Sequence, residues 1–190
     1  KHDATSNLTN GNYEFGKETM RGKPVLTENV ENQTRGLDRD YITQWSYGIG
    51  ETWSLMIPNV KGGASAYIGN DNPALQNADP RFRSTIAQNN AYWGDQPGTS
   101  GPVYVGAIVC FLFVLGLFVV KGKIKWVLLV ATILSILLSW GKNFMGFTDF
   151  FLDYFPLYNK FRAVSMTLVI AEVCMPILAF LALAEVMKNP

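Results

Sequence analysis

Three cations, Lys142, Lys160 and Arg162, stand near the edges of long apolar runs. A guanidinium flanked by ammonium groups suits a phosphate, because its planar fork of N–H donors meets two phosphate oxygens at once while lysine adds point charge. The other reading of Arg162 is an interfacial cation with its stem along apolar surface and its head among lipid headgroups. Further along the same run lies Glu172. It is either an acid hydrogen-bonded by a neighbouring helix or a cavity-lining acid near a substrate or proton path. Steps of three and four place Arg162, Ser165, Val169, Glu172 and Pro176 on one helical face, which predicts a polar stripe and a bend at the proline.

A second group, Tyr92, Trp93 and Asp95 in YWGDQP, offers two rings and a carboxylate. Such a set stacks on a sugar and accepts its hydroxyls, or anchors the chain at a membrane surface. Asp149 and Asp153 are helix neighbours that read as a solvated face, with a divalent cation as the weaker alternative. His2 has no ligand spacing around it, and no P-loop, GxSxG, HExxH or CxxC pattern occurs, so no catalytic or metal constellation is complete. No basic patch lies outside the apolar runs, which argues against nucleic acid. NLT (7–9) and NQT (32–34) match the glycosylation sequon.

The elements that must position these groups fall into two unlike halves. Residues 1–101 hold nine basic and eleven acidic side chains, a net of −2, and are dense in Asn, Gly, Thr and Pro. Beyond them come three apolar runs, 102–120, 126–140 and 163–187, each read as a membrane-spanning helix against the need for about 20 apolar residues. Lys121, Lys123 and Lys125 in the 121–125 link, and Lys188 in the 188–190 end, predict those positions to be cytoplasmic. The expected fold is therefore an α-helical integral membrane protein fragment, with three transmembrane helices preceded by a mixed, loop-rich extracytoplasmic domain. Cys110 and Cys174 fall inside spans, so no disulfide framework is implied. An outer segment with no leader before it predicts at least one further span upstream.

Within the outer parts, Leu37, Tyr41, Trp45, Ile49 and Trp53 recur every four residues, predicting a helical face that Gly48 and Gly50 interrupt and Pro58 ends. A short helix is expected in RFRSTIAQNNAYWG. In the outer loop 141–162, Phe144, Phe147, Phe151, Tyr154, Tyr158 and Phe161 are spaced 3-4-3-4-3, which predicts an amphipathic helix lying in the outer interface, broken by Pro156 near Phe155.

Four strings, WSYGIGETWSLMIPNVKGG (45–63), YWGDQPGTSGPVYVGAIV (92–109), LLSWGKNF (137–144) and DYFPLYNKFRAVS (153–165), together resemble the YfhO family of bacterial integral membrane proteins, in its Bacteroidetes form. The resemblance runs from about Tyr13 to Lys188. It implies a multi-pass protein of the inner membrane with the fold of C-type glycosyltransferases, which take sugar from a polyprenyl-phosphate carrier at the outer face, and it favours a carrier phosphate as the partner of Arg162, Lys160 and Lys142. It also implies that the catalytic acid lies upstream of these residues. Val164 departs from the family pattern, in which a proline often follows the FR pair. Two other functions fit the residues: a transporter or flippase of a lipid-linked precursor working through Glu172 and Pro176, and a non-catalytic assembly protein whose outer domain binds a partner.

Overall fold

The computed structural model describes residues 13–15, 26–28, 36–101 and 103–188; His2 and both sequons lie outside them. In chain order the elements are β1 (Tyr13–Phe15), β2 (Leu26–Glu28), α1 (Arg39–Thr43), β3 (Gly62–Tyr67), α2 (Arg83–Ala87), β4 (Asn90–Tyr92), α3 (Ala107–Val119), α4 (Ile124–Ser139), α5 (Met145–Tyr154) and α6 (Leu168–Lys188). Short 3-10 turns lie between several of them. β1 pairs antiparallel with β2, and β3 with β4, the second pair through an irregular register. The described residues divide into two compact units, one holding the chain up to Tyr47 with Leu134–Leu168, the other holding Gly48–Ile133 with the chain from Val169 onward.

In the first unit, Asp38 caps α1 by accepting the N–H groups of Asp40 and Tyr41. The four-residue period predicts a longer helix, but α1 ends at Thr43 because the next residues are drawn into bonds with distant chain. Tyr47 N–H donates to the Ser139 carbonyl at 2.8 Å, and Ser46 Oγ accepts Lys142 N–H at 2.8 Å. Ala163 N–H and Ser165 N–H donate back to the carbonyls of Ile42 and Trp45. Ile42, Leu152 and Val164 form the apolar centre between these segments.

The aromatic spacing of the outer loop becomes the 3-10 turn Gly141–Phe144 followed by α5, which stops at Phe155 just before Pro156. Phe144, Phe147 and Phe151 touch in succession, and Phe155 and Tyr158 both close on Phe151. Two members leave that ladder: Tyr154 pairs with Phe150, and Phe161 stays exposed. On α5, Asp149 and Asp153 keep side chains 39% and 52% exposed, and they share a cation. Arg39 reaches across 110 residues to bond Asp149 through Nε at 3.0 Å and Asp153 through Nη2 at 2.9 Å, so one guanidinium bridges both acids and relieves their mutual repulsion.

The polar stripe expected from Arg162 to Pro176 is corrected. Leu157 and Ala163 take left-handed backbone (φ 70° and 64°), Val164–Thr167 is a 3-10 turn, and α6 begins only at Leu168, so Arg162 lies on extended chain. For a residue with a Cβ, such a conformation costs about 1–2 kcal/mol. The hydrogen bonds of Ala163 and Ser165 to the α1 segment hold it there.

In the second unit, α3 and α6 meet where Gly116 lies against Leu178; a Cβ there would stand 2.8 Å from Leu178 Cγ. α6 buries Ala171, Cys174, Met175, Leu178 and Ala182, and leaves Val169, Glu172, Val173 and Phe180 exposed. Residues 103–106, assigned to the first span, are not helical: Val105 and Gly106 N–H groups both donate to the Leu55 carbonyl, and Gly106 has φ 112°. Among the described residues one helix, Val164–Lys188 with a mean hydropathy of 2.3, is long and apolar enough to cross a membrane. Ile124–Ser139 and Gly141–Tyr154 meet the same test only as a pair bent by 107°, and α3 is shorter.

Gly141 (φ 45°) and Gly146 in this region should respond oppositely to alanine. A Cβ at Gly141 would strike Ser46 and Val164, whereas one at Gly146, inside α5, meets nothing within 4 Å. Gly141→Ala is expected to cost about 2 kcal/mol or more through backbone strain and overpacking. Gly146→Ala should gain about 0.5–1 kcal/mol from helix propensity. Thermal unfolding in detergent measures both shifts.

Candidate functional site

Arg162 is exposed, yet its head is fixed from one side. The guanidinium carbon lies 5.0 Å from the Trp45 ring centre and 5.4 Å from that of Tyr41, and Nη1 donates to the Tyr41 hydroxyl at 2.8 Å. These contacts hold the cation through its face and one nitrogen. Nε and Nη2 make no hydrogen bond to the described residues. That edge is the one with which a guanidinium grips an oxyanion in two parallel bonds, and in Arg39 the same two nitrogens are taken by Asp149 and Asp153.

Arg162 also lines a cavity of about 280 Å³, walled mainly by Tyr158, Phe161, Ala163, Val164 and Met166. Its lining is largely apolar. The Tyr158 hydroxyl is buried without a hydrogen-bond partner, and that burial pushes the phenol up to about 12, so at neutral pH it is an uncharged O–H with a donor to spare. A ligand suited to this place has an anionic head with paired oxygens and an apolar tail.

Lys160 ends the 3-10 turn Tyr158–Lys160 and is exposed, two residues from Arg162. Lys142 is exposed on the turn before α5, in the same unit, its backbone tied to Ser46. Glu172 is elsewhere, on the exposed face of α6. Tyr41 and Trp45, the residues that seat Arg162, were legible in sequence only as members of an apolar period.

The YWGDQP group belongs to the second unit and is organised by a residue that sequence reasoning passed over. Glu51 is 4% exposed. Its Oε2 accepts Gly48 N–H at 2.7 Å and Asp95 N–H at 3.2 Å, and its Oε1 accepts the Tyr92 hydroxyl at 2.6 Å. The Tyr92 oxygen in turn accepts Gln96 N–H at 3.0 Å. Burial first, and then the hydrogen bond to Glu51, raise the Tyr92 phenol well above its usual range. Gly48 and Gly94 leave room for this centre, since a Cβ at either would run into the Glu51 carboxylate. Tyr92 is therefore committed to structure, while Trp93 is 69% exposed and Asp95 is exposed at the rim. The signal in the sequence was GIGE, in which a glutamate three residues after a helix-starting residue can cap its N–H.

Among the described residues no three His, Cys, Asp or Glu side chains are grouped as metal ligands. No family model, curated protein or solved structure matches this chain.

Tyr92→Phe deprives Glu51 Oε1 of its donor and Gln96 N–H of its acceptor, and is expected to cost about 1–3 kcal/mol. Because the phenol is raised in the folded state, its contribution is complete below its unfolded value of about 10 and fades as pH rises through the folded value. Chemical unfolding of Tyr92→Phe beside the exposed-site control Trp93→Ala checks this, with the control expected within about 0.5 kcal/mol of wild type.

Proposed function

We propose that the chain is part of a multi-pass protein of the YfhO type in the bacterial inner membrane, handling a polyprenyl-phosphate-linked sugar at the outer face. In this reading α3, α4 and α6 are three spans, residues 1–101 are extracytoplasmic, and the bend after α4 lays α5 along the outer interface. The observation that carries it is the open Nε–Nη2 edge of Arg162, a residue that lines an apolar cavity. A prenyl phosphate has the two matching parts.

The chemistry then follows from the leaving group. When the sugar departs from its carrier, negative charge builds on the phosphate, and a cation already seated on two rings stabilises that charge without reorganising at the moment of reaction. Lys160 and Lys142 add positive potential nearby. The residue that activates the acceptor is a carboxylate of the full protein upstream of these residues, as the resemblance to C-type glycosyltransferases implies. Trp93 and Asp95 are the side chains offered to a sugar.

Arg162→Lys keeps the charge and loses the bidentate edge; about tenfold weaker donor binding is expected, and about a hundredfold for Arg162→Gln, at roughly 1.4 kcal/mol per factor of ten. Equal donor affinity in wild type and both variants, measured on the complete protein in nanodiscs with folding verified, would remove the phosphate role.

A further inference from the structure

The 3-10 helix Ile49–Leu55 is built inside out. Its polar members Glu51 and Ser54 are 4% and 1% exposed, with the Ser54 hydroxyl donating to the Glu51 carbonyl at 2.6 Å. Leu55 is buried with them, but the other apolar members point the other way: Ile49 is 51% exposed, Trp53 61%, and Ile57, one turn beyond, 48%. Ile49 and Trp53 belong to the four-residue apolar period that reads in sequence as a helical face, yet neither is buried. An element that hides its glutamate and presents tryptophan and isoleucine has its favourable environment on the outside.

The position of this helix identifies that environment. The Leu55 carbonyl accepts Val105 N–H at 3.0 Å and Gly106 N–H at 2.9 Å, the two residues directly before α3. α3 has 13 residues, about 20 Å of rise, against a hydrocarbon core of about 30 Å. On the reading of α3 as a span, Lys121 and Lys123, which follow it, hold its far end at the headgroups. The near end, and Leu55 with it, then lies within the outer leaflet rather than above it. Lys61 runs across the same side, its Cε 3.2 Å from where a Cβ of Gly50 would be, and supplies a cation at headgroup height.

We propose that Ile49, Trp53 and Ile57 form a membrane-embedded face, by which the outer segment seats itself in the acyl chains of the outer leaflet with Lys61 toward lipid phosphates. The face rests on the reading of α3 as a span, and goes beyond it. Residues 48–101 are thereby held against the bilayer surface rather than standing free of it, and Glu51 joins that seat to the YWGDQP turn through Tyr92 and Asp95.

Site-directed spin labels test this in the full chain, with Cys110→Ala and Cys174→Ala as background, in nanodiscs of phosphatidylethanolamine and phosphatidylglycerol. Labels at Trp53→Cys, Ile57→Cys and Ile49→Cys are compared with Val114→Cys on the exposed face of α3 and Asn70→Cys on the polar surface. The expected result is high oxygen accessibility and loss of nickel-chelate accessibility at 49, 53 and 57, as at 114, with the reverse at 70. If 114 is in lipid while 53 and 57 behave like 70, or are closed to both reagents as a protein-covered site would be, the seat is refuted and the span stands. Water at 114 as well would overturn the span, and the seat with it. Three label sites keep the outcome readable should one variant misfold.

Discussion

The backbone exchange between residues 37–47 and 139–165 is the constraint on which the first unit depends. Leu37 donates to Asn159, Tyr47 to Ser139, Ala163 to Ile42 and Ser165 to Trp45, all across about a hundred residues of intervening chain. Closing a loop of that length carries an entropic cost that grows only slowly with length, so once the first contact forms the others add bonds at little further expense. The exchange explains the short α1, the left-handed Ala163 and the need for glycine at 141. It also explains the site. Because Ala163 and Ser165 are hydrogen-bonded to the α1 segment, Arg162 falls over Tyr41 and Trp45 rather than along α6.

Two arginines in this unit show how partners decide what a cation can do. Arg39 spends Nε and Nη2 on Asp149 and Asp153, which ties α1 to α5. Arg162 spends only Nη1, on a phenol, with its head over two rings and Nε and Nη2 left without a hydrogen bond to the described residues. The first is a structural cation, and the second is the one that the proposal assigns to an anion. In the second unit Glu51 does for the outer turn what the backbone exchange does for Arg162: it fixes Asp95 and Tyr92 from behind, so that Trp93 and Asp95 are presented on a rigid turn.

What was legible in the sequence is what short-range geometry determines. The 3-4 spacing of Phe144, Phe147 and Phe151 produces a ring ladder on one helix, and Pro156 stops that helix at Phe155, because both effects act within a turn or two of backbone. The apolar runs do become helices, though 103–106 do not join the first. The misses share one cause. The pairing of Asp149 and Asp153 with Arg39 from 110 residues away is not written in their spacing, the helical face expected through Ile49 and Trp53 gives way to a 3-10 helix with Glu51 turned inward, and Arg162 looks helical until Ile42 and Trp45 claim its neighbours. Periodicity reports which residues share a face and is silent on what that face meets.

The central claim is that one site reads a phosphate and an apolar chain together. Its most direct test is equilibrium binding of a polyprenyl phosphate and of the polyprenol of equal length to the complete protein in nanodiscs, each competed with inorganic phosphate. The prenyl phosphate is expected to bind saturably, the prenol to bind far more weakly, and inorganic phosphate to displace the first only at high concentration, since it lacks the tail. Equal binding of phosphate and alcohol would contradict it, because the Arg162 edge would then contribute nothing to recognition.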